Sequence, residues 1–439
     1  MKNIFKFFIF FVATASIVSC EEYLDVKPVG KVIPETLADF RAVLTKGYDV
    51  YPDHKSLATL RSDELLLNEF SDDLIYYKDI YLWNDANPDR ITTSFQYADL
   101  YNSIFYTNVI INEASKKLPI SAERDQLIGE AYALRALAYF DLVNLFSKPY
   151  NAATAASDRG VPLALEIDLE QVFSPESVAA VYSQIIFDKD QAKSLLNLDT
   201  QATGINYRFS KAAVYALESR IYLYQNDWNN ALTSAELALS YKNTLVNFNN
   251  TPILPNNYDS VESILALEDV FVNRLKSASY VSNELLSAFD QSSDLRFSVF
   301  FQLDGTKYKF KKGGELGQKC SFRTSELYLT KAETAAQLDN LALAKDAINI
   351  FVATRYSAES FEVLTASINS MQKTELLHFI AQERFREFAA EGHRWFDLRR
   401  NNQKEIQHTL DGNTSTLIAN DPRYTLPFPA DARLNNPEL

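Results

Sequence analysis

Residues 382–400 read QERFREFAAEGHRWFDLRR and hold a dense set of reactive side chains. Glu383, Glu387 and Glu391 recur at four-residue spacing, which puts three carboxylates on one face of a helix. With His393 and Asp397 close behind, such a row offers metal ligation or acid–base chemistry. The neighbours argue for another role. Arg384, Arg386, Arg394, Arg399 and Arg400 supply counter-charge, and Phe385, Phe388, Trp395 and Phe396 interleave with them. Charges packed among aromatic rings read most economically as ion pairs that fix a helix in place. Glu383, Arg386, Glu391, His393, Arg394, Trp395 and Asp397 are therefore expected to be structural, and no catalytic residue is assigned.

Other chemical signals are absent. His54, His378 and His408 share no ligand spacing, and the chain has no H-E-x-x-H, G-x-S-x-G elbow, P-loop or Rossmann glycine fingerprint. Neither a metal nor a cofactor is expected. Binding chemistry is more visible. Trp228 and Trp395 fall in helical patterns and read as core, whereas Trp83 lies in a polar, turn-forming stretch from Tyr81 to Pro88. An indole face packs on the C–H faces of a sugar ring, while neighbours such as Asn84 and Asp85 bond its hydroxyls. Tyr81, Trp83, Asn84 and Asp85 are thus candidate ligand residues, with Arg61, Asp63, Tyr258 and Tyr280 as further ones and Tyr76 and Tyr77 beside them. The competing reading is that Trp83 pins its own loop to the scaffold.

The elements that must position these residues are helices. Ala131, Leu134, Ala138, Leu142 and Leu145 recur at helical spacing over 127–146. Ser174-Pro175 offers an N-cap followed by a first-turn proline, which predicts a helix opening there. Val214, Leu217, Ile221 and Tyr224 mark one helix, Asn226-Asp227 a turn, and Trp228, Ala231, Ala235 and Ala238 the return. The same grammar recurs at Tyr328, Ala332 and Ala335, Asp339-Asn340, then Leu341, Ala344, Ile348 and Phe351. Alanines where two helices cross are like those of tetratricopeptide pairs. Between glycines 305 and 317, Tyr308 and Phe310 alternate with Lys307, Lys309 and Lys311, which predicts a two-stranded ribbon with one packed face. Residues 71–97 and 243–283 are rich in Asn, Asp, Ser and Tyr, and read as long loops.

Composition agrees with a helical scaffold. The 439 residues include only 11 glycines and 14 prolines, too little punctuation for a many-stranded sandwich, barrel or propeller. A formal charge of −14 argues against binding a phosphate backbone, so no nucleic-acid partner is expected. At the N-terminus, Lys2 and Lys6 precede an apolar run to Val18, and Ile17-Val18-Ser19-Cys20 forms a lipobox. Residues 1–19 are expected to be a signal sequence removed before Cys20, whose thiol would carry the lipid; the competing reading is an ordinary secretory signal. Cys320 then remains alone, which leaves no intramolecular disulfide.

The segment 382–400 closely resembles the C-terminal signature of the SusD/RagB family of outer-membrane nutrient-binding lipoproteins. Other segments agree in order: CEEYLDVKP after the lipobox, GEAYALRALAYFDLVNLF (129–146), Gly160 to Leu163, ESRIYLYQNDWNNAL (218–232), SELYLTKAETA (325–335) and LPFPADARLNNPEL (426–439). Phe146-Ser147-Lys148 departs from the family's common aromatic-Gly-Asp turn, and the chain is short for the family. The resemblance implies a mainly α fold, a right-handed superhelix of tetratricopeptide-like pairs with a loop-rich insertion region and a small β-ribbon. It implies a lipidated tether at 20–36 and one domain at 37–439. Its scaffold would cover about 37–70, 100–242 and 318–400, with ligand-side insertions at about 71–99 and 243–317. It further implies a lipid-anchored protein on the outer face of the outer membrane. Such a protein captures oligosaccharides or peptides for a SusC-like TonB-dependent transporter, and is not an enzyme. A surface hydrolase of the same uptake system and a protein-only interaction subunit are the competing classes.

Overall fold

The computed structural model describes residues 34–167 and 172–439. The signal sequence, Cys20 and most of the tether lie outside the described residues. The mainly α expectation holds, and the short strands form two-stranded sheets among the described residues.

Helices begin where a polar side chain accepts an otherwise unpaired backbone N–H. Ser121 accepts from the Arg124 amide ahead of Ala122–Phe146, and Ser210 from the Ala213 amide ahead of Lys211–Tyr224. Asp227 and Asn340 cap the return helices Trp228–Tyr241 and Leu341–Val352 in the same way. Both hairpins turn through one left-handed residue, Asn226 with φ 59° and Asp339 with φ 61°. Asn and Asp tolerate that conformation better than other residues with a Cβ. Ala122–Phe146 packs on Val178–Leu195, Lys211–Tyr224 on Trp228–Tyr241, and Thr324–Gln337 on Leu341–Val352. Ala131, Ala213, Ala231, Ala235, Ala332 and Ala344 along these helices are fully buried, which lets the backbones approach closely.

Local punctuation misleads at two places. The helix expected to open at Ser174-Pro175 starts instead at Val178, capped by Ser177, because Pro175–Ser177 pairs as a strand with Arg159–Pro162. The stretches expected as loops contain the helix Leu74–Tyr81 and the strands Ser263–Leu265 and Ser279–Val281. Their hydrogen bonds go to distant strands: Ser263–Leu265 pairs with Phe322–Arg323, and Ser279–Val281 with Leu65–Leu67. The ribbon forms from Phe301–Asp304 and Lys307–Phe310, turning at Gly305 with Phe310 buried beneath it.

The three glutamates of the signature lie on one face of Lys373–Glu387 and the turn after it, where they make a fully buried charge ladder. Glu383 accepts from Arg296 at 2.8 Å, from Tyr356 at 2.7 Å and from Arg386. Glu387 accepts from Arg323 at 2.6 Å and from Arg355 at 2.9 Å on both oxygens. Glu391 accepts from Lys312 at 2.6 Å and from Arg323 at 2.9 and 3.0 Å. Glu262 joins Arg323 to Arg355, and Asp294 holds Arg296. The sequence points to the neighbouring arginines as counter-charges, yet only Arg386 serves the ladder. Arg384 and Arg400 instead clamp Asp397, and Arg400 reaches Glu333 as well.

The turn that carries Glu391 depends on Gly392, with φ 77°, because a Cβ there would lie 2.8 Å from the Cβ of Lys55.

Burial is the largest influence on Asp397 and raises it, but Arg384 and Arg400 together outweigh burial and hold it at about 2. An unfolded aspartate titrates near ~3.9. The native ion pair therefore contributes its full stability above that value and loses it as pH falls toward 2. Removing the carboxylate leaves two buried guanidinium groups short of a partner, so Asp397→Ala should cost about 3–5 kcal/mol in urea unfolding at pH 7. Asp397→Asn should also flatten the loss of stability between pH ~4 and 2, by about 2 kcal/mol relative to the parent chain.

Candidate functional site

The early-loop candidates converge on the signature helices, and they do so inside the protein. Arg61 ends the helix Lys55–Arg61 fully buried, with its guanidinium bonded to both oxygens of Asp85 at 2.6 and 2.8 Å and to the Arg423 carbonyl at 2.6 Å. It lies 4.9 Å from the centre of the Trp395 ring. Trp83 is 1% exposed; its Nε1 donates to the Arg61 carbonyl at 3.1 Å and its ring stacks on His408. Tyr81, fully buried, stacks against the same imidazole. Burial depresses His408 to about 4, against the Tyr81 and Ser62 carbonyls that favour the charged ring. Asn84 bonds Asp79 and the Asn87 carbonyl. Asp63 receives two bonds from Arg394, at 2.8 and 2.7 Å, and the Lys404 ammonium at 2.7 Å.

Of the two readings of Trp83, this buried geometry fits the one in which the indole pins its own loop. Its φ of 54° places a bulky residue in the left-handed region, a strained conformation held by the hydrogen bond and stacking around the indole. Tyr81, Arg61 and Asp63 are likewise committed to an interlock between the 71–99 stretch and the signature, rather than to solvent. His393 stacks on Phe388 at the other end of this hub, and burial holds it well below the ordinary histidine range.

Tyr280 is placed differently. It stands opposite Leu66 in the antiparallel pair Leu65–Leu67 and Ser279–Val281, and the ribbon strand Lys307–Phe310 packs beside it. The Lys307 and Lys309 ammoniums lie 4.8 and 5.4 Å from the centre of its ring. Gln302 and Asp304 pair with those lysines across the ribbon, and directly opposed residues share a face. The result is a part-exposed ring with two ammoniums over it, one of which, Lys309, also pairs with Asp304 at 3.3 Å. The helix Asn273–Ser277 leads into the same strand, and its Arg274 stacks 4.7 Å over Tyr76 while pairing with Asp73 at 3.3 Å. Tyr258 is 39% exposed, and its backbone is fixed away from this face: its amide donates to the Gly317 carbonyl and its carbonyl accepts from Asn206.

Two further features escape a linear reading. A groove of about 510 Å³ runs between the helix Tyr97–Val109 and the C-terminal helix, lined by Tyr97, Tyr101, Phe105, Asn102 and Asn435. Tyr97, Tyr101 and Phe105 recur at four-residue spacing in the sequence, but nothing there marks the far wall. His54, Asp141 and Glu268, all buried, bring ligand-type atoms within 4.8 Å of one another. They come from widely separated segments, so no spacing motif could signal them.

Comparison with known proteins bears on the whole chain. A family model described as SusD-like, "Starch-binding associating with outer membrane", matches residues 22–223, and the SusD family model matches residues 295–436. A SusD-like protein of Formosa agariphila is 26% identical over 95% of each chain. A crystal structure of a SusD superfamily protein from Bacteroides thetaiotaomicron superposes with a TM-score of 0.77 at 21% identity, covering 92% of this chain and 98% of that one. A laminarin-binding SusD-like protein gives a TM-score of 0.63 at 21% identity, covering 83% and 91%. With both family models matching in order, and the signature ladder lying within the second, the chain belongs to the SusD/RagB family.

Proposed function

We propose that the protein is a cell-surface lipoprotein that binds glycan chains through the face around Tyr280 and delivers them to a SusC-like TonB-dependent transporter. One observation carries the binding step: an aromatic ring with two lysine ammoniums over it, on a strand surface whose facing strand presents Gln302 and Asp304. A ring face packs on sugar C–H groups, and the surrounding donors and acceptors bond hydroxyls. The family's description as starch-binding and the laminarin-binding relative support a glycan rather than a peptide as the cargo. Family membership supports a binding role without a catalytic step. No helix among the described residues is long and apolar enough to cross a membrane, so the lipobox cysteine is the proposed anchor.

Affinity electrophoresis in laminarin and in starch gels tests the face. Tyr280→Ala should weaken retention about 3–10-fold, the equivalent of one aromatic contact, while leaving thermal stability unchanged. Trp83→Ala should do the reverse, lowering stability first. Unchanged retention in Tyr280→Ala, with the parent chain retained, would remove that ring from the site.

The anchor has its own test. Cys20→Ala should abolish palmitate labelling and move the protein from the membrane fraction to the soluble one, and continued labelling would refute lipidation at Cys20.

A further inference from the structure

Charge on the face around Tyr280 runs against the sign of the chain. Residues 273–311 carry six lysines and arginines against four carboxylates, in a chain whose total is −14. Interior pairing removes Arg296 and Asp294 from that balance together. The strands then concentrate what is left: Lys307 and Lys309, two residues apart on one strand, share a side of the ribbon and reach the same ring. Exposed charges are screened beyond about 8 Å at physiological salt, so this local balance, and not the distant acids, meets a docking ligand.

The chain does not neutralise this pair. Lys307 and Lys309 stand 4.8 and 5.4 Å from the centre of the Tyr280 ring, whose quadrupole attracts each of them while they repel one another. Asp304 lies opposite Lys307 in the strand register, yet its carboxylate, 52% exposed, turns to Lys309 at 3.3 Å. Among the described residues no carboxylate pairs with Lys307. Beside the same strand, Arg274 repeats the arrangement: it is 57% exposed, lies 4.7 Å over Tyr76 and has one carboxylate, Asp73, at 3.3 Å.

These cations discriminate between sugars. A neutral sugar that stacks on Tyr280 must push the ammoniums off the ring and offers them only hydroxyl oxygens in return. A sugar carrying an anionic group packs its ring in the same way, and its charged oxygens accept from the displaced ammoniums. Hydrogen bonds to an ionised acceptor are about twice as strong as those between neutral groups. One anion between Lys307 and Lys309 also removes their mutual repulsion.

We propose that the glycan taken by this face is acidic, with carboxylate or sulfate ester groups that pair with Lys307 and Lys309 while a sugar ring packs on Tyr280. The inference rests on the glycan-binding reading of that face. Neutral chains dock on the same ring, but more weakly.

The test is calorimetric titration of the detergent-purified protein with oligosaccharides of matched length from polygalacturonate, carrageenan and laminarin, at about 50 and about 500 mM NaCl. At low salt at least one acidic probe should bind about tenfold or more tighter than the laminarin fragment, and high salt should cut that advantage at least about threefold. Which acidic probe gains separates a carboxylate from a sulfate as the paired group. A double variant, Lys307→Gln with Lys309→Gln, should erase the advantage while changing laminarin affinity by less than about twofold. Equal affinity for acidic and neutral probes in the parent chain, with laminarin binding still lost in Tyr280→Ala, overturns the acidic preference and leaves the glycan face standing. An advantage that survives the double variant overturns it too, as does a double variant with lower Tm and unchanged binding, which makes the lysines struts for the ribbon. Binding of no probe by the parent chain removes the face and the preference together.

Discussion

A carboxylate taken out of water costs several kcal/mol unless charged donors meet it with good geometry. The row Glu383, Glu387 and Glu391 meets that condition only through groups from remote segments: Arg296 and Lys312 from the second insertion, Arg323 from the strand before a scaffold helix, and Arg355 after the next. Glu262 and Asp294 balance the arginines that the row leaves in excess. No member can be satisfied alone, so the position of one segment dictates the others. The ladder thus acts less as a reservoir of stability than as a register device, which rejects arrangements that leave any charge unmatched.

The same segment sets the position of the 71–99 stretch. Trp395 lies under Arg61, Arg394 holds Asp63, and His408 fills the gap between Tyr81 and Trp83. Both insertions are consequently braced against one hub, and the strands carrying Tyr280 stand on that brace through their pairing with Leu65–Leu67. A rigid surface loses little conformational freedom when a ligand docks, so a modest set of contacts can suffice.

Much of this was legible in the sequence because it is local. The hairpin turns at Asn226-Asp227 and Asp339-Asn340, the alanines at helix crossings and the ribbon near Gly305 all follow from short-range rules. The four-residue spacing of the glutamates was equally plain, but the identity of their partners was not, since spacing on one helix says nothing about what packs on it. Trp83 stood between two readings for a related reason. Its polar neighbours marked a turn, yet the indole is buried by His408 from a distant strand. Ser174-Pro175 failed because strand pairing with Arg159–Pro162 overrides a good local cap. Tyr280 was visible only as a tyrosine in a polar stretch; the lysines beside it required the register of a second pair of strands.

The ladder also orders events in time. A chain made from its N-terminus presents Arg296, Lys312, Arg323 and Arg355 well before Glu383, Glu387 and Glu391 exist. Until those last residues emerge, four cations meant for the interior have too few anions, and desolvating them is unfavourable. The central region must then stay hydrated and open while the rest is synthesised. Closure of the interior becomes a late, nearly simultaneous event, triggered by the arrival of a segment close to the C-terminus. A chain stopped before residue 383 should be unable to condense, however complete its helical pairs are.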